Sequence, residues 1–227
     1  GAAGGIGTPR SALAAFAMGA DYVVTGSVNQ ACVEAGTSAY VKGVLSKAEM
    51  SDVVMSPCAD MFEVGGRVQV VKKGTMFPMN AQKLYDIYSR YPSWEVVPEK
   101  DKKAVESRIL KLGYDKVWEL VKDYFAANGS RQLARAEANE KYKLALVFRW
   151  YLGNASRWAI SGAEDRKMDM QIWCGQSMGA FNKWAQGTEW EDLGARTAAG
   201  IAKAIMEGAA VLQLENALRC VGINILA

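Results

Sequence analysis

The chain has 227 residues, of which 50% are hydrophobic and 22% charged, with a formal net charge of +3. That balance is globular. The mixed signs exclude the clustered positive footprint of a nucleic-acid binder, and no apolar run approaches the ~20 residues of a membrane span.

In chain order, Gly1–Ala3 reads as the end of a buried strand, followed by a loop carrying Gly4, Gly5 and Gly7. Thr8 suits an N-cap and Pro9 a first helical position. "RSALAAFAMG" then continues as a helix stopped at Gly19. "DYVVTG" reads as a short β-branched strand ending at Gly26, and a second turn, "GSVNQ", opens another helix. The spacing predicts one helix over Ser27–Ala48, weakened by Gly36 and Gly43. "RVQVVKK" alternates as a strand between Gly-Gly and Gly74. "AQKLYDIYSRYPSW" predicts an amphipathic helix ending before Pro92, with Leu84, Ile87, Tyr88 and Tyr91 on one face. Pro98 opens a charged, solvated helix. "YDKVWELVKDYFAANG" forms the next, closed by Gly129. From there one short and one long helix run to Gly162, and another short-long pair ends the chain.

The opening stretch carries the clearest chemical signal. Glycines let backbone approach a ligand closely and adopt positive φ, and free N–H groups at helix starts attract phosphate. Two such turns from consecutive strand–loop–helix units make one shared phosphate site, as the loops after strands 7 and 8 do in (β/α)₈ barrels. The fold expectation is therefore α/β: the last two βα units of a TIM barrel over 1–48, an irregular strand-containing connection over 49–78, and a helical subdomain over 79–227. The complementary half of the barrel is the first partner this implies.

Other constellations are weaker. "FRWYLGNASRW" gathers four aromatics with Arg149 and Arg157, which suit a phosphate or carboxylate but equally a core covered by its arginines. "CGQSMGAFNKW" could line a pocket. Cys174 lacks the histidine that usually activates a thiol, because the chain contains none. Lys72 and Lys73 suit a surface turn. The four cysteines, Cys32, Cys58, Cys174 and Cys220, lack metal-ligand spacing and read as free thiols of a reducing, cytoplasmic compartment. Tyr85, Tyr88 and Trp94 suit either an interface or the core.

The run "AAGGIGTPRSALAAFAMGADYVVTGSVNQACVEAGTS" resembles the flavin-phosphate end of FMN-dependent enoyl reductases and nitronate monooxygenases. Together with "DMFEVGGRVQVVKKGTMFP", "KLYDIYSRY", "FRWYLG" and "CGQSMGAFNKWAQGTEWED", it resembles the enoyl reductase of polyunsaturated fatty acid synthases over nearly the whole chain. The resemblance implies an FMN-binding TIM barrel with a helical subdomain. It implies NADPH-dependent reduction of a trans-2-enoyl group on an acyl carrier protein, within a homodimer or larger synthase assembly. It places the FMN phosphate on the amides of Gly4, Gly5 and Ile6 and on Gly26 and Ser27, with Val28 and Asn29 bordering the site.

Two other readings remain open: a phosphosugar- or nucleotide-binding barrel fragment without flavin, and a non-catalytic helical docking or dimerisation module. Reductases of this type carry a histidine near the flavin in the half that this sequence does not contain. The 227 residues alone are therefore expected to show no enoyl reductase activity. NADPH oxidation with an enoyl thioester at normal turnover by this polypeptide alone would refute that expectation.

Overall fold

A computed structural model describes residues 1–128 and 130–223. Gly129, the expected stop of one helix, lies outside the described residues. The elements are β1 (Ala2–Ala3), α1 (Pro9–Ala17), β2 (Val23–Val24), α2 (Ala39–Leu45), β3 (Val53–Pro57), β4 (Arg67–Val71), α3 (Phe77–Arg90), α4 (Glu99–Ala104), α5 (Tyr114–Asn128), α6 (Ser130–Glu137), α7 (Glu140–Ser161), α8 (Ser177–Ala185) and α9 (Ala198–Cys220). Short 3₁₀ turns and one π-helical turn, Val105–Leu110, connect them. The described residues form two compact units, Gly1–Val53 with Trp173 onward, and Val54–Ile172. This division differs from the boundaries expected at 48 and 78, because α8 and α9 pack with the N-terminal segment rather than with α3–α7.

In the first unit, β1 and β2 pair in parallel with Ala2 opposite Val23 and Ala3 opposite Val24. Thr8 caps α1 as expected. Its hydroxyl accepts from the Ser11 amide, while the Ser11 hydroxyl oxygen accepts from the Thr8 and Gly7 amides. Gly19 ends the turn after α1 with φ +93°. Along α9, Ile201, Ile205 and Ala209 are buried at a spacing of four, one helical stripe. They share a core with Ala12 and Ala15 of α1. The helices approach closely: a Cβ on Gly208 would meet Pro9 at 2.6 Å. Gly179 of α8 is tighter still, since a Cβ there would lie 2.2 Å from the Met50 amide nitrogen.

The predicted helix over Ser27–Ala48 is broken. A 3₁₀ turn covers Ser27–Ala31, and α2 starts only at Ala39 with Ser38 as its N-cap. Tertiary hydrogen bonds divert the intervening segment. The Val33 amide donates to the Arg196 carbonyl at 2.9 Å, and the Thr37 hydroxyl donates to the Gln30 carbonyl at 2.7 Å.

In the second unit, β3 and β4 form a two-stranded sheet. α7 supplies the core with Leu144, Phe148, Tyr151, Leu152 and Ala155, all fully buried. Phe148 meets Phe62 edge-on at 6.4 Å, and Phe77 stacks on Tyr151 at 6.1 Å. α3 stops at Arg90, before Pro92, as its sequence requires. The charged helix expected after Pro98 becomes α4 followed by the π turn, which buries Val105, Ile109 and Leu110.

Asp169, 2% exposed, holds this unit's polar centre. It accepts from the Tyr151 hydroxyl at 3.1 Å and pairs with Lys111 at 2.7 Å and Arg166 at 3.4 Å. Arg166 also donates to the Ile109 and Leu110 carbonyls, closing the end of the π turn. A buried carboxylate persists only when paired and hydrogen-bonded in this way.

Of the two readings of Trp94, interface or core, the structure places it in the core. Trp94 is buried and stacks on Tyr114 at 4.5 Å, while Tyr85 and Tyr88 are partly buried against the same core.

Two glycines make opposite tests of packing. Gly179→Ala forces backbone apart and should cost about 1–3 kcal/mol. Gly153→Ala, in the interior of α7 with open space at its Cβ position, should stabilise by about 0.5–1 kcal/mol through helix propensity. Thermal denaturation of both variants checks the contrast; shifts of the same sign would contradict it.

Candidate functional site

Three segments of the first unit meet at the start of α1. The first is the Gly4–Thr8 turn. Gly4 and Gly5 adopt φ +83° and +74°, and a Cβ on either would meet nothing within 4 Å. The sequence places glycine where backbone must turn left-handed and where space stands open beside it. Among the described residues, the Gly5 and Ile6 amides have no protein acceptor. Gly7 is the opposite case: a Cβ would lie 2.7 Å from the Ser177 carbonyl oxygen and 3.1 Å from Val28 Cγ1.

The second segment is Gly26–Asn29. Gly26 also faces open space. Ser27 and Val28 begin a 3₁₀ turn, so their amides have no acceptor within it. Asn29 closes the turn on itself: its amide donates to the Gly26 carbonyl, and its side chain donates to Thr25 Oγ1 at 3.1 Å.

The third segment, Gly175–Ser177, leads into α8. The Gly175 amide donates to Ser27 Oγ at 2.8 Å, which fixes the hydroxyl oxygen and leaves its proton available to an acceptor.

The seven expected site residues thus divide by what surrounds them. Gly4, Gly5, Gly26 and Ser27 present backbone or hydroxyl at the turns. Ile6 and Val28 turn their side chains into the core, where Val28 is fully buried. The Asn29 side chain is engaged within its own turn. Sequence reasoning missed Gly7 as the packing contact and Gly175 as the partner of Ser27. "CGQSMG" marked the right segment, but nothing local in it points to a residue 148 positions away.

Cys174 immediately precedes that contact. Burial first, and the charge of Asp52 second, push its thiol up to about 12, the reverse of an activated nucleophile. Cys32 is likewise pushed up, chiefly by burial. Among the described residues no group of His, Cys, Asp or Glu could hold a metal ion, and no helix is long and apolar enough to cross a membrane. Arg149 pairs with Glu63 at 3.0 Å, Arg157 lies exposed over the Tyr124 ring, and Lys72 and Lys73 are exposed.

Residues 91–170 match the family model of the inserted helical domain of [acyl-carrier-protein] S-malonyltransferase. The chain is 48% identical over 190 residues to one polyunsaturated fatty acid synthase polypeptide of Thraustochytrium sp., covering 83% of this chain and 13% of that protein. It is 44% identical over 216 residues to the polyketide biosynthesis protein PksE of Bacillus subtilis, covering 95% and 28% respectively. The enoyl reductase domain of MlnA, from the macrolactin biosynthesis cluster of Bacillus amyloliquefaciens, superposes with a TM-score of 0.89 at 40% identity, covering 96% of this chain and 49% of that one. The homologues are therefore components of fatty acid and polyketide synthesis. The chain has the fold of about half of an enoyl reductase domain, and it spans roughly an eighth to a quarter of these curated relatives.

The cysteines provide a direct check on the site's chemistry. At about pH 8, iodoacetamide should modify the exposed Cys220 and leave the buried Cys32, Cys58 and Cys174 untouched until the chain unfolds. Because the folded thiol of Cys174 titrates above its ordinary value of 9.0, this residue removes stability as pH rises from there towards about 12. Mass spectrometry of the alkylated chain reads the first outcome; modification of Cys174 at the rate of Cys220 would overturn it.

Proposed function

We propose that this chain forms part of an FMN- and NADPH-dependent enoyl reductase that reduces trans-2-enoyl groups carried on an acyl carrier protein. The observation that carries the reading is the pair of open, glycine-bearing turns at Gly4–Gly5 and Gly26–Ser27, in a chain that superposes on an enoyl reductase domain. Their fit to a flavin phosphate is supported by open space where three Cβ atoms would stand, and by amides with no other acceptor. Clustered amides at helix starts are the usual backbone answer to a phosphate dianion.

In this reading the Gly4, Gly5 and Ile6 amides and the Gly26–Ser27 turn hold the phosphate. The Gly175 amide occupies one lone pair of the Ser27 hydroxyl oxygen and leaves its proton free for donation to the anion. Val28 and Ile6 anchor the two turns in one core and hold the cradle rigid. Flavin bound there would supply hydride transfer to the enoyl thioester, chemistry that no side chain provides.

The parallel pair β1–β2 supports the barrel half of the proposal. Val24 of β2 and Tyr22 just before it are 51% and 61% exposed beside a two-stranded parallel sheet, whereas parallel strands are ordinarily covered on both faces. We assign the missing cover to neighbouring barrel strands, from a segment equivalent to the unmatched half of the solved domain.

The test supplies that complementary segment by co-expression and measures flavin absorbance of the purified pair. A yellow preparation is expected. Gly5→Val, which puts a branched side chain at positive φ, should weaken FMN retention about tenfold or more. A colourless preparation that still binds a phosphosugar or nucleotide would instead favour the non-flavin barrel.

A further inference from the structure

The second unit contains a cavity of about 550 Å³ that the flavin-phosphate turns do not touch. Its volume lies in the range of small-molecule sites. Two helix faces form its walls. On α7 the rows Leu146–Trp150–Asn154 and Arg149–Gly153–Arg157 recur at a spacing of four, opposite the face that Phe148 and Tyr151 bury in the core. Across from them, α5 contributes Leu120, Val121, Tyr124 and Phe125. Facing helices ordinarily interdigitate; these leave space. Gly153 sits mid-helix where a Cβ would meet nothing within 4 Å. Glycine there gives up helix propensity and keeps the cavity open.

The polar groups are placed unevenly. Arg149 is held by Glu63 at 3.0 Å and is half-buried. Arg157 has no carboxylate within ion-pair distance among the described residues and lies over the Tyr124 ring. Asp60 and the side-chain amides of Asn128, Gln132 and Asn154 line the same space beside the apolar Leu146, Trp150 and Phe125, with Asn128 and Asn154 each spending one N–H on the Tyr124 and Trp150 carbonyls and keeping their amide oxygens. A ligand that satisfies all three kinds of surface has an anionic group, amide groups and an apolar chain.

We propose that this cavity receives an acyl chain borne on a phosphopantetheine arm, its phosphate neutralised by Arg157 and its amides and acyl chain lying between α5 and α7. The inference rests on the reading above that the protein works on carrier-bound thioesters. It adds the place where that arm is held. The same arm occurs on acyl carrier proteins and in coenzyme A, and binding measurements separate the two sources.

Isothermal titration of the full chain with hexanoyl-phosphopantetheine should give saturable binding. Gly153→Phe, which fills the cavity, and Arg157→Glu, which reverses its unpaired charge, should each weaken binding about tenfold or more. If Gly153→Phe fails to melt like the wild type, Arg157→Glu and Asn154→Ala decide. No binding, unchanged affinity in these variants, or equally tight binding of free hexanoate would overturn the proposal. Hexanoyl-coenzyme A and hexanoyl-loaded carrier protein are titrated alongside, and the tighter of the two identifies the source of the arm. Flavin retention in the complemented pair is measured on the same variants and should not change. Its loss in the wild type with arm binding intact would sink the flavin reading and leave this site standing.

Discussion

The candidate site depends on one absent atom. With no Cβ, Gly7 lets the Ser177 backbone and Val28 press against the start of α1; any side chain would meet the Ser177 carbonyl at 2.7 Å. That contact brings the Gly4–Thr8 turn, the Gly26–Asn29 turn and the entry to α8 together. The Gly175 to Ser27 hydrogen bond then secures the third segment to the second. The Gly5 and Ile6 amides have no protein acceptor among the described residues, which leaves them free to bond water or an anion.

The two units handle charge differently. In the first, the site is built from backbone and one hydroxyl, and burial pushes the Cys32 and Cys174 thiols up. In the second, charge is carried by side chains. Asp169 is fully engaged by Tyr151, Lys111 and Arg166, and has nothing left to offer a ligand. Arg157, on the opposite side of α7 from Phe148, keeps its charge at the surface of a cavity. One helix thus serves as core on one face and as the wall of an open space on the other, because Phe148, Tyr151, Leu152 and Ala155 occupy one side while Arg149, Gly153, Asn154 and Arg157, with Leu146 and Trp150, occupy the other.

Local rules read well from the sequence. Thr8 and Pro9 start α1, Gly162 at φ +72° ends α7, and Pro92 limits α3, since caps and backbone dihedrals are decided within a few residues. The glycine turns were equally visible, because positive φ and a missing Cβ leave glycine in the sequence. Three features were hidden. The break between Ala31 and Ala39 arises from a bond between Val33 and Arg196, far apart in sequence. The burial of Trp94 depends on Tyr114 arriving opposite it. The role of Ser27 depends on Gly175.

By itself, then, the sequence determined most of the helical segments, where most of them stop, and which turns must be glycine. Only the tertiary structure decided that α8 and α9 close over the first two strand–helix segments, that Gly7 is a packing residue rather than a ligand contact, and that the arginines of α7 border a cavity. The division has a physical cause. Propensity, capping and φ are properties of neighbours in the chain, whereas packing and hydrogen-bond partnership are properties of neighbours in space.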